Sequence, residues 1–238
     1  MHRYQISQVV PYYQPIVDLQ SGKVVMYESL ARFIDHNGSG ISALNMEQLF
    51  CDDVFSMDVF KKMLPDAVRM ANCNIDIAVN VEASSLGHEF FMLLENVFER
   101  FPNIAGYLSF EMTERTIGRD IKALAEHIEV VRSFGAKVVL DDFGTGASNF
   151  ECLEAIQFDQ VKIDGQFLKG SANSAGGLKR LKLFVDLLKS YNIPIVGEHI
   201  ENSDIEMIAK NLTIDYGQGY FYGKPSPTIS NESQRMYA

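Results

Sequence analysis

The stretch VVLDDFGTG, residues 138–146, is an apolar run that ends in two adjacent carboxylates, Asp141 and Asp142. An ionised carboxylate is costly to take out of water unless a cation or hydrogen bonds compensate it, and neighbouring like charges repel. Other polar residues stand in equally apolar company. Gln14 sits in QPIVDL (14–19), Glu28 in YESLARF (27–33) and Asn80 in IDIAVNV (75–81). Glu111 sits in YLSFEMT (107–113), Lys162 in QVKID (160–164), Glu198 in IPIVGEH (193–199) and Gln218 in GQGYFY (217–222). Carboxylates with an Asn carboxamide, and no His or Cys among them, form an oxygen donor set suited to hard cations such as Mg2+ or Mn2+. A carboxylate able to bridge suits a two-metal site, which clamps the attacking and leaving oxygens of a phosphodiester displacement. Gly144 and Gly146 let the following turn approach such a site closely. Taken singly, each residue has an ordinary explanation. A Glu near a strand end can simply bond a loop, and Lys162 can neutralise Asp164, two residues on and on the same face. Taken together, they call for a common cause.

That cause lies in the elements that carry them. PYYQPIVDL (11–19) and KVVMYESLARF (23–33) read as strands joined by Gln20-Ser21-Gly22, a connection so short that they must run antiparallel. Short, mostly buried strands follow at 75–81, 107–113, 137–143, 160–164, 193–199 and 217–222. Between them, residues 119–134 place Ile121, Leu124, Ile128, Val131 and Phe134 on one helical face. Residues 179–191 do the same with Leu181, Phe184, Val185, Leu188 and Tyr191, and helical patterns fit 45–63, 82–100 and 201–211. GSG (38–40) and SANSAGG (171–177) read as surface loops. This alternation predicts an α/β fold, a (β/α)8 TIM-type barrel with one antiparallel strand, the first. Inward residues at the C-terminal ends of barrel strands converge on one mouth, where such enzymes keep their active sites.

The length of 238 residues suits a single such barrel over 1–238. A net charge of -10 argues against DNA binding through a basic face, so an anionic substrate needs local cations. Cys51, Cys73 and Cys152 are odd in number and match no zinc spacing, which predicts buried thiols of a reducing compartment. The N-terminus MHRYQISQ has no apolar signal core and no 18 apolar residues run together, so a cytoplasmic protein without a transmembrane segment is expected.

The motifs resemble those of the EAL-domain phosphodiesterases, bacterial enzymes that hydrolyse cyclic di-GMP to linear pGpG in the control of biofilm, adhesion and motility. The resemblance spans nearly the whole chain: QPIVDL, YESLARF, VNVEASSL (79–86), FEMTE (110–114), LDDFGTG (140–146), VKID (161–164), GEHIE (197–201) and QGYFYGKP (218–225). It implies two divalent cations, Mg2+ or Mn2+. Glu28, Asn80, Glu111 and Asp141 resemble the ligands of one. Asp141, Asp142 and Glu198 resemble the surroundings of the other, with Asp141 as the bridge. Lys162 is implied at the nucleophilic water, where both it and Glu198 are candidates for the base, and Gln218 at the metal edge. Leu30 and Arg32 are implied at a phosphate, Gln14 and Asp164 at the nucleotide or just behind it, and Glu114 and Glu201 as braces. A homodimer formed near the loop after the fifth strand is also implied; the apolar residues around Phe150 fit either that interface or ordinary core under the fifth helix.

Three positions depart from the family pattern: Ser29 for Ala, His199 for Gly, and Ala147 for an aromatic residue. Because Glu198 takes the inward direction, His199 is expected to point outward. Other readings are a catalytically weak cyclic di-GMP sensor that regulates a partner, and a Schiff-base enzyme using Lys162. The complete ligand set favours the metal-dependent hydrolase, and so many acidic residues disfavour the Schiff base.

Overall fold

The computed structural model describes residues 6–34, 40–42, 53–113, 120–144 and 150–229. Strands β1 (Val9–Asp18) and β2 (Val24–Ile34) form the expected antiparallel hairpin. Its turn is held by Gly22 at φ 72 and by the Ser21 amide donating to Asp18 Oδ1 at 2.6 Å. A short β3 (Gly40–Ser42), not foreseen, extends the far end of β2. Then β4 (Ile77–Asn80), β5 (Leu108–Thr113), β6 (Lys137–Phe143), β7 (Gln160–Ile163), β8 (Ile195–Gly197) and β9 (Tyr216–Gln218) run parallel to β2 and to one another. β9 pairs antiparallel with β1, which closes a barrel of eight strands in the order β1-β9-β8-β7-β6-β5-β4-β2. β1 is therefore the antiparallel member, against both neighbours.

Side-chain alternation sets the barrel interior in two layers. Ile16, Met26, Ala78 and Val196 form a small buried cluster apart from the main core, with Tyr216 against it. This is the apolar floor. Two residues further along the same inward faces come Glu28, Asn80, Glu198 and Gln218. On the reversed β1 the step runs backward, from Ile16 to Gln14. Polar groups therefore meet at one end only, above a packed floor.

Helices cover the outside. α1 (Asp53–Ala71), α2 (His88–Arg100) and β5 contribute Phe60, Phe90 and Phe110, whose ring centroids lie 5.1 to 6.0 Å apart in tilted and edge-on pairs. α3 (Ile121–Ser133) buries Leu124, Ile128 and Val131, as its spacing predicts. α4 (Phe150–Ala155), α5 (Gly165–Ala172), α6 (Ala175–Ser190) and α7 (Ser203–Asn211) complete the set. Among the described residues no helix is long and apolar enough to cross a membrane.

Several boundaries differ from expectation. SANSAGG is mostly helical: it carries the end of α5 and the start of α6, where the Ser174 hydroxyl caps by accepting from the Gly177 amide at 3.0 Å. A Cβ on Gly177 would collide with the Ser171 carbonyl, so glycine serves helix-to-helix approach there rather than loop freedom. α1 runs through Pro65 to Ala71, beyond the expected end at 63, and residues 45–52 lie outside the described part. The 82–100 segment starts with a 3-10 turn at Ala83–Ser85 before α2 begins. Cys152 is buried, but Cys73 is exposed in the turn after α1, which corrects the expectation of buried thiols; Cys51 lies outside the described residues.

The rim opposite the polar layer is tied by three carboxylates. Asp76 pairs with Lys137 at 2.9 Å. Asp159 pairs with Arg132 at 2.5 Å and accepts from the Val138 amide at 2.8 Å. Asp215 pairs with Lys189 at 2.6 Å and accepts from the Ile195 amide at 2.8 Å. Each ties a strand start to the segment beside it. Replacing Asp159 by Ala strands the Val138 amide and is expected to lower stability by about 1–3 kcal/mol. Urea denaturation measures this, and a change within about 0.5 kcal/mol, the range of neutral surface substitutions, would contradict the assignment.

Candidate active site

Alternation alone would turn either Asp141 or Asp142 away from the mouth. The strand escapes this by a bulge. Leu140 pairs with Val161 but Phe143 pairs with Ile163, so β6 carries one residue more than β7 across that interval. Asp142 absorbs the extra residue in a left-handed conformation, φ 57, and Gly144 follows at φ 107. Both carboxylates consequently face the site. Oxygens of Asp141, Asp142 and Glu198 come within 4.8 Å of one another, and so do those of Glu28, Glu111 and Asp141. Asp141 belongs to both triads.

Lys162 rises between them, 1% exposed. Its ammonium lies 3.2 Å from Glu28, 3.0 Å from Glu111, 3.0 Å from Asp141 and 3.0 Å from Glu198. Burial alone would depress its pKa, but these four carboxylates outweigh burial and hold it well above the ordinary lysine value. A raised pKa favours the ammonium, which is no nucleophile, and so disfavours the Schiff-base reading.

One ammonium cannot balance five acids. Burial raises Glu111 and Glu198 well above the usual glutamate value, against the pull of Lys162 and with the push of neighbouring carboxylates. Burial likewise pushes Asp141 up to about 6. Glu28 is the exception. Burial works against its ionisation, but Lys162 and hydrogen bonds from two amides carry its pKa below the ordinary value. Those amides are Gln218 Nε2, donating at 2.6 Å, and Asn80 Nδ2, donating at 2.8 Å. Gln218 is held in turn. Its strand exit packs backbone to backbone on Ile200, so closely that a Cβ on Gly219 would collide there.

The donors fit divalent cations. All are oxygens, two triads share one member, and Glu111 Oε1 is buried without a hydrogen-bond partner among the described residues. Clustered carboxylates of raised pKa are the groups that a cation would ionise and neutralise together.

Above the carboxylates opens a cleft of about 770 Å³. Gln14, Leu30, Arg32, His199, Glu201 and Gln218 line it together with the acidic cluster and Lys162. Arg32 is half-buried, and burial lowers its pKa, with Glu28 opposing. Glu201 is exposed and pairs with Lys169 at 2.6 Å. Asp164 does not line the cleft; it caps α5 by accepting from the Phe167 amide at 2.8 Å. His199 is exposed, as an outward orientation requires, yet it also lines the cleft wall. Ser29 lines it too, with its hydroxyl buried and unpartnered among the described residues. Glu114 and Ala147 lie outside the described residues, and Phe150 opens α4 with its side chain undescribed. The sequence reading did not find Ser56 and Phe60 of α1, Glu82, or Tyr220. These reach the cleft through helix docking and loop paths, for which local periodicity carries no signal.

Comparison with known proteins gives the same picture. The EAL domain family model matches residues 2–225. The chain is 29% identical over 241 residues to the probable cyclic di-GMP phosphodiesterase PdeI of Escherichia coli, covering 95% of this chain and 30% of that protein. It is 28% identical over 223 residues to the cyclic di-GMP phosphodiesterase PdeA of Borreliella burgdorferi, covering 91% of this chain and 33% of that one. The chain thus spans about a third of the length of the curated relatives it matches. Among solved structures it superposes on the PaMucR phosphodiesterase in complex with c-di-GMP at a TM-score of 0.85, with 26% identity over 93% of each chain. With matching motifs, matching barrel and a family match over almost all its residues, the chain belongs to the EAL domain family.

Proposed function

We propose that this chain hydrolyses cyclic di-GMP to linear pGpG with two divalent cations, Mg2+ or Mn2+, and so lowers a second messenger of biofilm, adhesion and motility control. The observation that carries this reading is the pair of carboxylate triads sharing Asp141, set beneath a cleft with an arginine in its wall. The relatives named as cyclic di-GMP phosphodiesterases, and the c-di-GMP complex of the structural neighbour, support the same substrate.

Glu28, Asn80, Glu111 and Asp141 would hold one cation, and Asp141, Asp142 and Glu198 the other. Bound there, the cations supply an activated water and neutralise charge on the scissile phosphate. The chain's own residues do the rest. Asn80 and Gln218 fix both oxygens of Glu28. Lys162, within 3.2 Å of Glu28 and 3.0 Å of Glu111, Asp141 and Glu198, donates hydrogen bonds and offsets negative charge. Glu198, paired with Lys162 at 3.0 Å in the same cluster, would accept the proton of the attacking water. Arg32 offers a planar guanidinium to a phosphate of the substrate.

Glu28→Ala is expected to lower turnover of cyclic di-GMP by more than about 100-fold, since even outer partners of metal ligands cost about 10- to 100-fold. Chromatography of pGpG formed with Mn2+ measures it, and full activity would remove Glu28 from the centre. Arg32→Ala is expected to raise KM about tenfold or more, the scale of one charge-assisted hydrogen bond, with kcat nearly unchanged. An unaltered KM would take Arg32 out of the phosphate site.

The acidic cluster also sets a pH dependence. The Asp141 pKa is raised from 3.8 to about 6 on folding, so the folded chain holds that proton more tightly than the unfolded one. Its contribution to metal-free stability is full below 3.8 and is lost as pH rises through 6. Cations bind the deprotonated form and reverse that loss. Added Mn2+ should therefore raise Tm more at pH 7.5 than at pH 5. Equal shifts at both pH values would contradict the assignment.

A further inference from the structure

His199 has no part in the metal centre, yet its placement is specific. It follows Glu198 directly, its backbone is left-handed at φ 53, and it lines the cleft. Glycine adopts that backbone freely, and histidine, though enriched there among the other residues, does so seldom. The turn is enforced from both sides. The next residue, Ile200, donates its amide to the Gln218 carbonyl at 2.9 Å and accepts from the Phe221 amide at 3.0 Å. The imidazole itself rests against Gly165, the first residue of α5, where a Cβ would collide with the ring. The ring is thereby fixed against α5 while the residue stays exposed at the cleft wall.

The cleft gives the ring something to meet. Arg32 stands at the end of β2, and His199 leaves the end of β8, three strands round the ring of eight. In a cyclic dinucleotide each nucleoside joins both phosphates, so with one phosphate at Arg32 and the other over the carboxylates the two nucleosides would flank that line, one of them on the side of β8 and His199. Resting on the proposed hydrolysis, we infer that His199 is a substrate-binding residue, whose imidazole stacks on the base lying on the β8 side of the cleft. Exposed bases are commonly held on flat aromatic or histidine rings, and such stacking tolerates replacement of one ring by another.

The test is steady-state hydrolysis of cyclic di-GMP with Mn2+ by the wild type, His199→Gly and His199→Phe, with thermal melting of each. His199→Gly suits the left-handed backbone, so its Tm should match or exceed that of the wild type. Its KM should rise about tenfold, the scale of one lost base–ring stack, with kcat within about twofold. His199→Phe, which keeps a ring, should hold KM within about threefold. An unchanged KM in His199→Gly, or a His199→Phe as weak as the glycine variant, overturns the inference while leaving the hydrolase reading intact. A wild type that hydrolyses nothing overturns that reading and the inference with it.

Discussion

One buried ammonium among four carboxylates is the interaction on which the site depends. Lys162 alone cannot neutralise the group, and the cluster answers by holding Glu111, Asp141 and Glu198 above their ordinary pKa values while Glu28 stays ionised. Such a cluster is a poor way to stabilise a fold, since desolvating charges rarely repays itself. It suits a cation site, where bound cations would relieve the repulsion. The packed floor of Ile16, Met26, Ala78 and Val196 makes this tolerable, because it confines the charges to one open end.

The barrel serves that arrangement in two steps. Parallel strands bring single inward residues to a common level, and the reversed β1 contributes Gln14 there by running the other way. The bulge in β6 then breaks the alternation at one place, which lets two consecutive aspartates act together. Strand regularity supplies the ring of polar groups, and one local irregularity places Asp141 in both carboxylate triads.

Much of this was legible in the sequence because each cost had to be declared locally. A Glu, Asn or Lys inside an apolar run of a few residues is visible without any structure, and the short turn at 20–22 forces an antiparallel pair. What was not legible depended on distant partners. The glycines at 176 and 177 read as a loop but lie in α6, where Gly177 packs against the Ser171 carbonyl. The left-handed backbones of Asp142 and His199 depend on neighbouring strands, and the cleft residues from α1 depend on how that helix docks. Asp164 shows the converse. Its motif suggested a place at or just behind the ligand, and the fold adds a role the motif did not announce, the cap of α5.

The central claim is that Asp141 is shared between two cations. Electron paramagnetic resonance of the chain titrated with Mn2+ tests it most directly. The account predicts two Mn2+ per chain with a spin-coupled spectrum, and loss of the coupling in Asp141→Asn. A single uncoupled Mn2+ at saturation, or coupling that survives Asp141→Asn, would contradict it.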